Sequence, residues 1–162
     1  MKNKKTAFIT QTAIIAALYA ALTWIFAPIS FWAVQFRVSE ALCILPYFTP
    51  AAIPGVTIGC VLGNLITGAP IWDVIFGSLA TLIGAVGSYL LRKKKWLVPI
   101  PPIVSNVIII PFVLKFAYKL DDAIPFMMLT VGIGEILAIY LLGMILLIAL
   151  EKTKTSLFKK KQ

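Results

Sequence analysis

The sequence predicts an all-α, polytopic membrane protein with six transmembrane helices and with both the N- and C-termini on the cytoplasmic side. Hydrophobic residues make up 60% of the 162 residues and charged residues only 13%, about half the charged fraction of a soluble domain. So few polar side chains could not cover the surface of a soluble globule. The apolar residues also form runs of membrane-spanning length, and basic residues cluster at the ends of these runs.

The predicted spans follow one another without a linker, so residues 1–162 form a single transmembrane domain in the cell membrane. The first span resembles a signal peptide in its basic start, but it is about 20 residues long and further apolar runs follow it. It ends at Pro28, and an aromatic-rich loop over residues 29–36 comes next. The six spans are predicted over residues 7–27, 38–48, 51–67, 71–91, 96–118 and 124–150.

Two of these spans are short because prolines interrupt the apolar region between residues 37 and 68. Pro46, Pro50 and Pro54 lie close together, and proline removes a backbone donor and ends or kinks a helix. We therefore predict a turn over residues 47–55 between two crossings of about 17 and 25 Å, at 1.5 Å per residue.

The basic residues favour six crossings over five. With six, the inner side holds the basic residues at positions 2, 4 and 5, the run 92–95 and five basic residues of the C-terminal tail. Only Arg37, Lys115 and Lys119 then face outward. With a single crossing through the proline-rich region, the run 92–95 would face outward, against the positive-inside tendency.

The chain lacks the residues that several classes of function usually require. The chain contains no histidine and no P-loop, HExxH or GxSxG motif, so the common routes to nucleotide binding and hydrolysis are missing. Cys43 and Cys60 lack metal-site spacing and are interpreted as small buried hydrophobes. The net charge of +9 lies at span ends, which indicates membrane topology rather than nucleic-acid binding. We expect no metal, no cofactor and no enzymatic activity.

Polar residues within or at the edge of the spans are the candidate binding site. An ionisable group in hydrocarbon costs several kcal/mol, so it usually faces an interior cavity or a partner. Under six crossings these groups lie in the outer half of the bilayer, opposite most basic residues. They predict an outward-opening, acidic and amide-lined pocket for a flat, nitrogen-rich ligand. The polar candidates are Arg37, Glu40, Asn64, Asp73, Asn106 and Glu135, with Phe31, Trp32, Phe36 and Trp72 at the rim.

Structural roles are open for several of these residues. Arg37 and Glu40 are three residues apart and could pair with one another on a helix. Asp73 could be the N-cap of the fourth span, and Asn64 could bond a neighbouring helix. Glu135 is harder to explain in this way, because it lies about ten residues inside the last span.

The first span carries small residues at helical spacing. Ala13, Ala17 and Ala21 recur every four residues, and Gly59 and Gly63 repeat this spacing in the third span. Small residues let helix backbones approach closely. Packing inside the bundle and docking of another membrane protein are both open explanations.

Four segments resemble the queuosine-precursor transporter family. Residues 35–50 read QFRVSEALCILPYFTP, and residues 64–68 read NLITG. Residues 72–82 read WDVIFGSLATL and residues 129–135 read LTVGIGE. The resemblance covers almost the whole chain, and most of the polar candidates lie within these segments.

The resemblance implies a substrate-capture subunit, or S component, of an energy-coupling factor transporter. Such a subunit is expected to bind a 7-deazaguanine base from outside, while a transmembrane coupling protein and two ATPases energise uptake. By the same resemblance, Ala13, Ala17 and Ala21 would contact the coupling protein. Glu135 would read the N–H edge of the base, with Glu40 or Asp73 as second choice, and the base could be the cyano, aminomethyl or queuine form.

Other functions remain as alternatives. The chain could be an S component for another small vitamin-like heterocycle. It could also be a histidine-free intramembrane enzyme that uses Glu135 and Asp73, or a structural assembly factor.

Overall fold

The computed structural model describes residues 2–30 and 36–159, with side chains for 3–28 and 36–153, and the regular secondary structure of this part of the chain is entirely helical. The α-helices are α1 (Lys2–Ile25), α2 (Ala27–Ser30), α3 (Ala52–Ile66), α4 (Ile71–Leu90), α5 (Ile100–Phe116), α6 (Ile124–Glu135) and α7 (Met144–Lys159). The 3-10 helices are Val38–Tyr47 and Lys95–Leu97, and the π helix is Ile136–Gly143, which joins α6 to α7.

Among the described residues, four helical stretches are long and apolar enough to cross a membrane, and their outer surfaces carry large apolar side chains. On α4, for example, Ile75, Leu79 and Ile83 are exposed. An apolar exterior of this kind suits lipid rather than water. The helical membrane fold predicted from composition is therefore confirmed. The four stretches are Asn3–Ile25, Ile71–Leu90, Lys95–Phe116 and Ile124–Thr153, and the shorter apolar helices are Val38–Tyr47 and Ala52–Ile66.

The two short elements lie where short crossings were predicted, but their details differ. Val38–Tyr47 is a 3-10 helix, which rises about 2.0 Å per residue and so extends its ten residues to about 20 Å. The turn predicted over residues 47–55 is wrong in extent, because α3 already begins at Ala52. Pro54 lies in the first turn of α3, where a missing N–H breaks no helical hydrogen bond. The predicted loop over 29–36 also begins later than expected, since α2 continues to Ser30 and residues 31–35 lie outside the described part.

Glycines bring α3 against α1. A Cβ at Gly59 would lie 2.5 Å from Tyr19 Cβ and 2.9 Å from the Ala16 carbonyl oxygen, and one at Gly63 would lie 2.9 Å from Thr23 Cβ. Only glycine allows this approach. Gly59 and Gly63 therefore serve packing within the bundle.

Close packing also joins the remaining helices. A Cβ at Gly84 would lie 2.5 Å from Pro102 Cα, and the Ser105 hydroxyl donates to the Ala80 carbonyl at 2.9 Å, so α4 and α5 are tightly apposed. The π helix packs on the 3-10 helix Val38–Tyr47, where a Cβ at Gly143 would lie 3.0 Å from Ile44 Cγ2. This arrangement brings polar residues of α1, the 3-10 helix, α3, α4, α5 and α6 to the centre of the bundle.

Candidate functional site

Five of the predicted polar residues are buried inside the bundle, each at most 3% exposed. Their burial contrasts with the apolar exterior of the same helices. Polar groups that face inward from membrane helices are typical of binding sites and ion pathways. We call this set and its hydrogen-bonding neighbours the polar cluster; its predicted members are Glu40, Asn64, Asp73, Asn106 and Glu135.

Asp73 forms one end of the polar cluster, together with two donors from other segments. Its Oδ2 accepts from Arg37 Nη2 at 3.0 Å and from the Tyr118 hydroxyl at 2.7 Å. Arg37 precedes the 3-10 helix Val38–Tyr47, and Tyr118 follows α5, so these bonds tie three segments together. Sequence reasoning missed Tyr118, which lies at the predicted end of a span and has no charge to mark it.

The charges at this end fix the protonation of both donors. Burial would lower the pKa of Arg37, but the surrounding acidic groups, of which Asp73 acts most strongly, together raise that pKa above its usual value. Burial, the charge of Asp73 and the hydrogen bond to it raise the pKa of Tyr118 well above its ordinary range. Both groups are therefore protonated donors at neutral pH.

The structure decides between the alternatives left open for these residues. Arg37 pairs with Asp73, so the alternative in which it pairs with Glu40 is not the arrangement observed. Asp73 is not the N-cap of α4, because the helix starts at Ile71 after Pro70 and has no side-chain cap. Asn64 does bond a neighbouring helix, since its Nδ2 donates to the Asp73 backbone oxygen at 3.2 Å.

Glu40 lies deeper in the bundle and accepts two hydrogen bonds. The Tyr19 hydroxyl of α1 donates to Oε1, and Cys43 Sγ donates to Oε2 at 3.0 Å. Cys43 is buried, as predicted, but it is also a donor rather than only a small hydrophobe. Tyr19 was missed because its hydroxyl lies within an alanine-rich run that indicated helix packing alone.

Glu135 is the most exceptional group of the polar cluster. It accepts a hydrogen bond from Asn106, which confirms that the two residues lie at the same depth in neighbouring helices. Its Oε2 is buried and has no hydrogen-bond partner. Glu40 and Arg37 both act on it electrostatically. A buried carboxylate oxygen without a partner is costly, and it can accept a hydrogen bond from a ligand.

Two further buried oxygens also lack partners. Asp73 Oδ1 lies towards Gly77, where an added Cβ would be 2.6 Å from it and 3.3 Å from Asn64 Nδ2. The Ser78 hydroxyl is the other, and it lies beside the thiol of Cys60. The polar cluster thus offers free acceptors at several points. Within the described residues, no group of three or more histidine, cysteine, aspartate or glutamate side chains could hold a metal ion.

Among the described residues, the structure places no member of the predicted aromatic rim against the polar cluster. Trp72 is 56% exposed and stacks on Phe76, outside the polar cluster. The reason is helical register: Asp73 points inward, so its neighbour on α4 points out. Phe36 packs against the apolar core near Ile44, and the predicted rim residues Phe31 and Trp32 lie outside the described part of the chain.

An apolar cavity of about 420 Å³ lies between α4 and α5 on the outer surface of the bundle. Its wall includes Trp72, Phe76 and Phe112 and none of the polar cluster residues. The polar cluster itself is closed in this structure, because all of its predicted members are buried. Access to the polar cluster from outside the bundle would therefore require a movement of the surrounding segments.

The alanine face of α1 is directed away from the bundle. Ala13, Ala17 and Ala21 are exposed, whereas Ala16 and Ala20 are buried against the neighbouring helices. The two sets lie on different sides of one helix. Only the exposed set is free to contact another molecule in the membrane plane.

Fold and site together define an integral membrane protein of several helices with a buried acidic and amide-lined site. A family model described as QueT transporter matches residues 9–152, so the chain belongs to the QueT transporter family. It is also 44% identical over 85 residues to the queuosine precursor transporter QueT of Lactococcus lactis subsp. cremoris (strain MG1363). That match covers 51% of this chain and 50% of the relative, about half the relative's length. No solved structure matches the chain.

Proposed function

We propose that this protein is the membrane-embedded substrate-capture subunit for uptake of a queuosine precursor, a 7-deazaguanine base, by an energy-coupling factor transporter. Membership of the QueT transporter family and the name of the Lactococcus relative support the transported class. The buried Glu135, with its unpartnered Oε2 beside Asn106, is the observation that carries the proposal. Residues 1–162 act as a single substrate-binding domain in the cell membrane.

The polar cluster fits the edge of such a base. A guanine-type ring presents an N1–H and an exocyclic amine side by side, and a carboxylate accepts from both. Glu135 is the reader of this edge, and Asn106 holds its carboxylate in place while its own amide oxygen can accept from the amine. Arg37, Asn64 and Asp73 close the outer end of the site, and Glu40 lines it from the 3-10 helix.

The proposed topology has six crossings with both termini in the cytoplasm. The contact between Lys95 and Glu151 supports it, since it brings the basic run 92–95 to the same end of the bundle as the C-terminal helix. Lys115 instead contacts the backbone oxygens of Asp121 and Asp122 beyond the other end of α5. With the short helices counted as crossings, this arrangement follows the positive-inside tendency.

The proposed partners are a transmembrane coupling protein and two ATPase subunits. The described residues contain a buried polar cluster, and the sequence contains no P-loop, so energy for uptake would come from another subunit. The exposed face of Ala13, Ala17 and Ala21 on α1 is the proposed contact for the coupling protein. Small side chains there allow a second helix to approach closely.

Calorimetric titration of the purified protein with 7-aminomethyl-7-deazaguanine, with guanine as control, tests the proposal. Tight binding of the deazaguanine alone is expected. Glu135→Gln should weaken it at least about hundredfold, because it removes two charge-assisted hydrogen bonds of about 1.5–3 kcal/mol each. Asp121→Asn, which removes a carboxylate from an exposed loop, is the matched control and should leave binding intact.

Two results would count against the proposal in different ways. An unchanged affinity in a folded Glu135→Gln protein would show that another group reads the base. No heat with any deazaguanine would remove the proposed substrate class and leave the fold and family in place.

A further inference from the structure

The loop between α4 and α5 carries basic residues that have no acidic partner in this chain. Of the 6 acidic residues in the sequence, the polar cluster contains three and the loop after α5 contains two, which leaves only Glu151. Glu151 is already in an ion pair with Lys95 at 3.3 Å. The neighbouring Arg92, Lys93 and Lys94 are exposed and form no ion pair within the described residues.

This segment, residues 91–99, is called the basic loop, and hydrogen bonds hold its shape. The Lys94 N–H donates to the Leu91 carbonyl at 2.9 Å. The Ser88 hydroxyl of α4 donates to the Val98 carbonyl at 2.7 Å, which ties the far end of the loop back to the helix before it. Because the loop is already ordered, little conformational entropy is lost when it binds a partner.

Aromatic and aliphatic side chains lie next to these charges. The guanidinium carbon of Arg92 lies 3.8 Å from the centre of the Tyr89 ring, and Lys95 Nζ lies 5.7 Å from that of the Trp96 ring. Leu90 is 72% exposed and Trp96 55%. Exposed aromatic rings beside cationic groups are typical of the zone where a membrane protein meets lipid headgroups. An acidic protein surface would match the charges alone, whereas a lipid matches both the charges and the apolar side chains.

The loop at the opposite end of the bundle has no such excess of positive charge. Lys115 and Lys119 are accompanied there by Asp121 and Asp122, and the Lys115 amine donates to the backbone oxygens of these aspartates at 3.2 and 3.3 Å. Equal numbers of basic and acidic residues give that loop little attraction for an anion. The uncompensated charge is therefore a local property of the basic loop.

We propose that the basic loop binds the headgroup of an anionic phospholipid, whose phosphate contacts Arg92, Lys93 and Lys94 and whose acyl chains cover the apolar side chains beside the loop. Arg92 Nη1 donates to the Tyr89 carbonyl at 3.3 Å, and the other N–H groups of the guanidinium can bind phosphate oxygens. Basic residues at a membrane surface each attract anionic lipid by a factor of about five. This surface is separate from the polar cluster and does not depend on its ligand.

Native mass spectrometry of the whole purified protein in detergent, titrated with phosphatidylglycerol or phosphatidylcholine of the same acyl chains, tests the proposal. We expect the first phosphatidylglycerol to bind at least about fivefold more tightly than the first phosphatidylcholine. The double variant Lys93→Gln/Lys94→Gln should lose most of this preference. The matched control Lys4→Gln/Lys5→Gln removes the same charge from the exposed start of α1 and should keep it. Inorganic phosphate at the same concentration should not displace the lipid, because it has no acyl chains.

Four results would overturn the inference. Equal affinities of the two lipids for the wild-type protein would show that the loop does not select an anionic headgroup. An equal loss of preference in both double variants would reduce the effect to the net charge of the protein. Displacement of the lipid by inorganic phosphate would make the loop a simple anion site. If Lys93→Gln/Lys94→Gln kept the lipid preference but no longer purified with the proposed coupling protein, the loop would be a protein contact.

Discussion

Asp73 takes part in more hydrogen bonds than any other residue at its end of the polar cluster. One oxygen accepts from Arg37 and Tyr118, while the backbone oxygen of the same residue accepts from Asn64. The Asp73 side chain is 1% exposed and that of Arg37 11%. In a buried ion pair, removal of one partner leaves an uncompensated charge, which costs more than loss of a single hydrogen bond.

We predict that Asp73→Asn destabilises the protein by about 3–5 kcal/mol, as expected when a buried ion pair is broken. Tyr118→Phe should cost less, about 1.5–3 kcal/mol, because it removes one hydrogen bond to a charged group and keeps the ion pair. Thermal unfolding in detergent, followed by circular dichroism, measures both. Asp122→Asn, on the exposed loop after α5, is the control. Equal shifts for the two variants would mean that Arg37 finds another partner.

The same residues show how far sequence reasoning reaches. Glu135, Asn106, Asn64 and Asp73 could be found because a polar group within an apolar run must face inward. Their partners could not, since the pairing of Arg37 with Asp73 depends on which helices are neighbours. Tyr19, Tyr118 and Cys43 are also typical of apolar cores and of interfacial belts, so nothing in their spacing indicates a bond to a carboxylate.

At the scale of elements, the contact between α1 and α3 determines the position of Tyr19. Gly59 of α3 meets Tyr19 Cβ and the Ala16 carbonyl so closely that no side chain fits between them. The hydroxyl of Tyr19 in turn donates to Glu40. The distance between these two helices is thus connected to the geometry of the proposed binding site.

We expect Gly59→Ala to lower thermal stability and to weaken binding of the aminomethyl base, because its Cβ must move α1 away from α3 and shift the Tyr19 hydroxyl. Gly132→Ala on α6 is the matched control, since the nearest atom to its Cβ is Val107 Cγ2 at 3.4 Å. Alanine also favours a helix over glycine by about 1 kcal/mol, so the control should be neutral or stabilising. Equal behaviour of the two variants in thermal unfolding and titration would contradict this account.

Helix positions were largely predictable from apolar length and proline placement, whereas helix type was not. The predicted spans 38–48 and 51–67 differ from the observed helices by only a residue or so at each end. The 3-10 geometry of the first and the π helix Ile136–Gly143 have no signal in residue spacing, because both depend on how the segments pack. The π helix begins directly after Glu135. Short π-helical segments within longer helices often lie at functional sites.

The two ion pairs of the described residues lie at two levels of the molecule. One is the buried polar cluster with Asp73 at its end. The other joins Tyr47, Lys95 and Glu151, where the glutamate accepts from both the tyrosine hydroxyl and the lysine at 3.3 Å. This second group links the 3-10 helix Val38–Tyr47 to the C-terminal helix at the end that carries the basic run 92–95. Between the two levels the exterior is apolar and suited to lipid or to another membrane protein.

The exposed alanine face of α1 is the part of this exterior with the smallest side chains, and we expect it to be the surface on which a partner docks. Ala17→Trp should block uptake in vesicles that contain the proposed coupling protein and ATPases, because a large ring prevents close approach of another helix. Ligand binding should stay within about twofold of wild type, as expected for an exposed substitution remote from the site. Ala149→Trp, an exposed alanine on α7, is the matched control and should support normal uptake. Normal uptake by Ala17→Trp as well would place the docking surface on another helix.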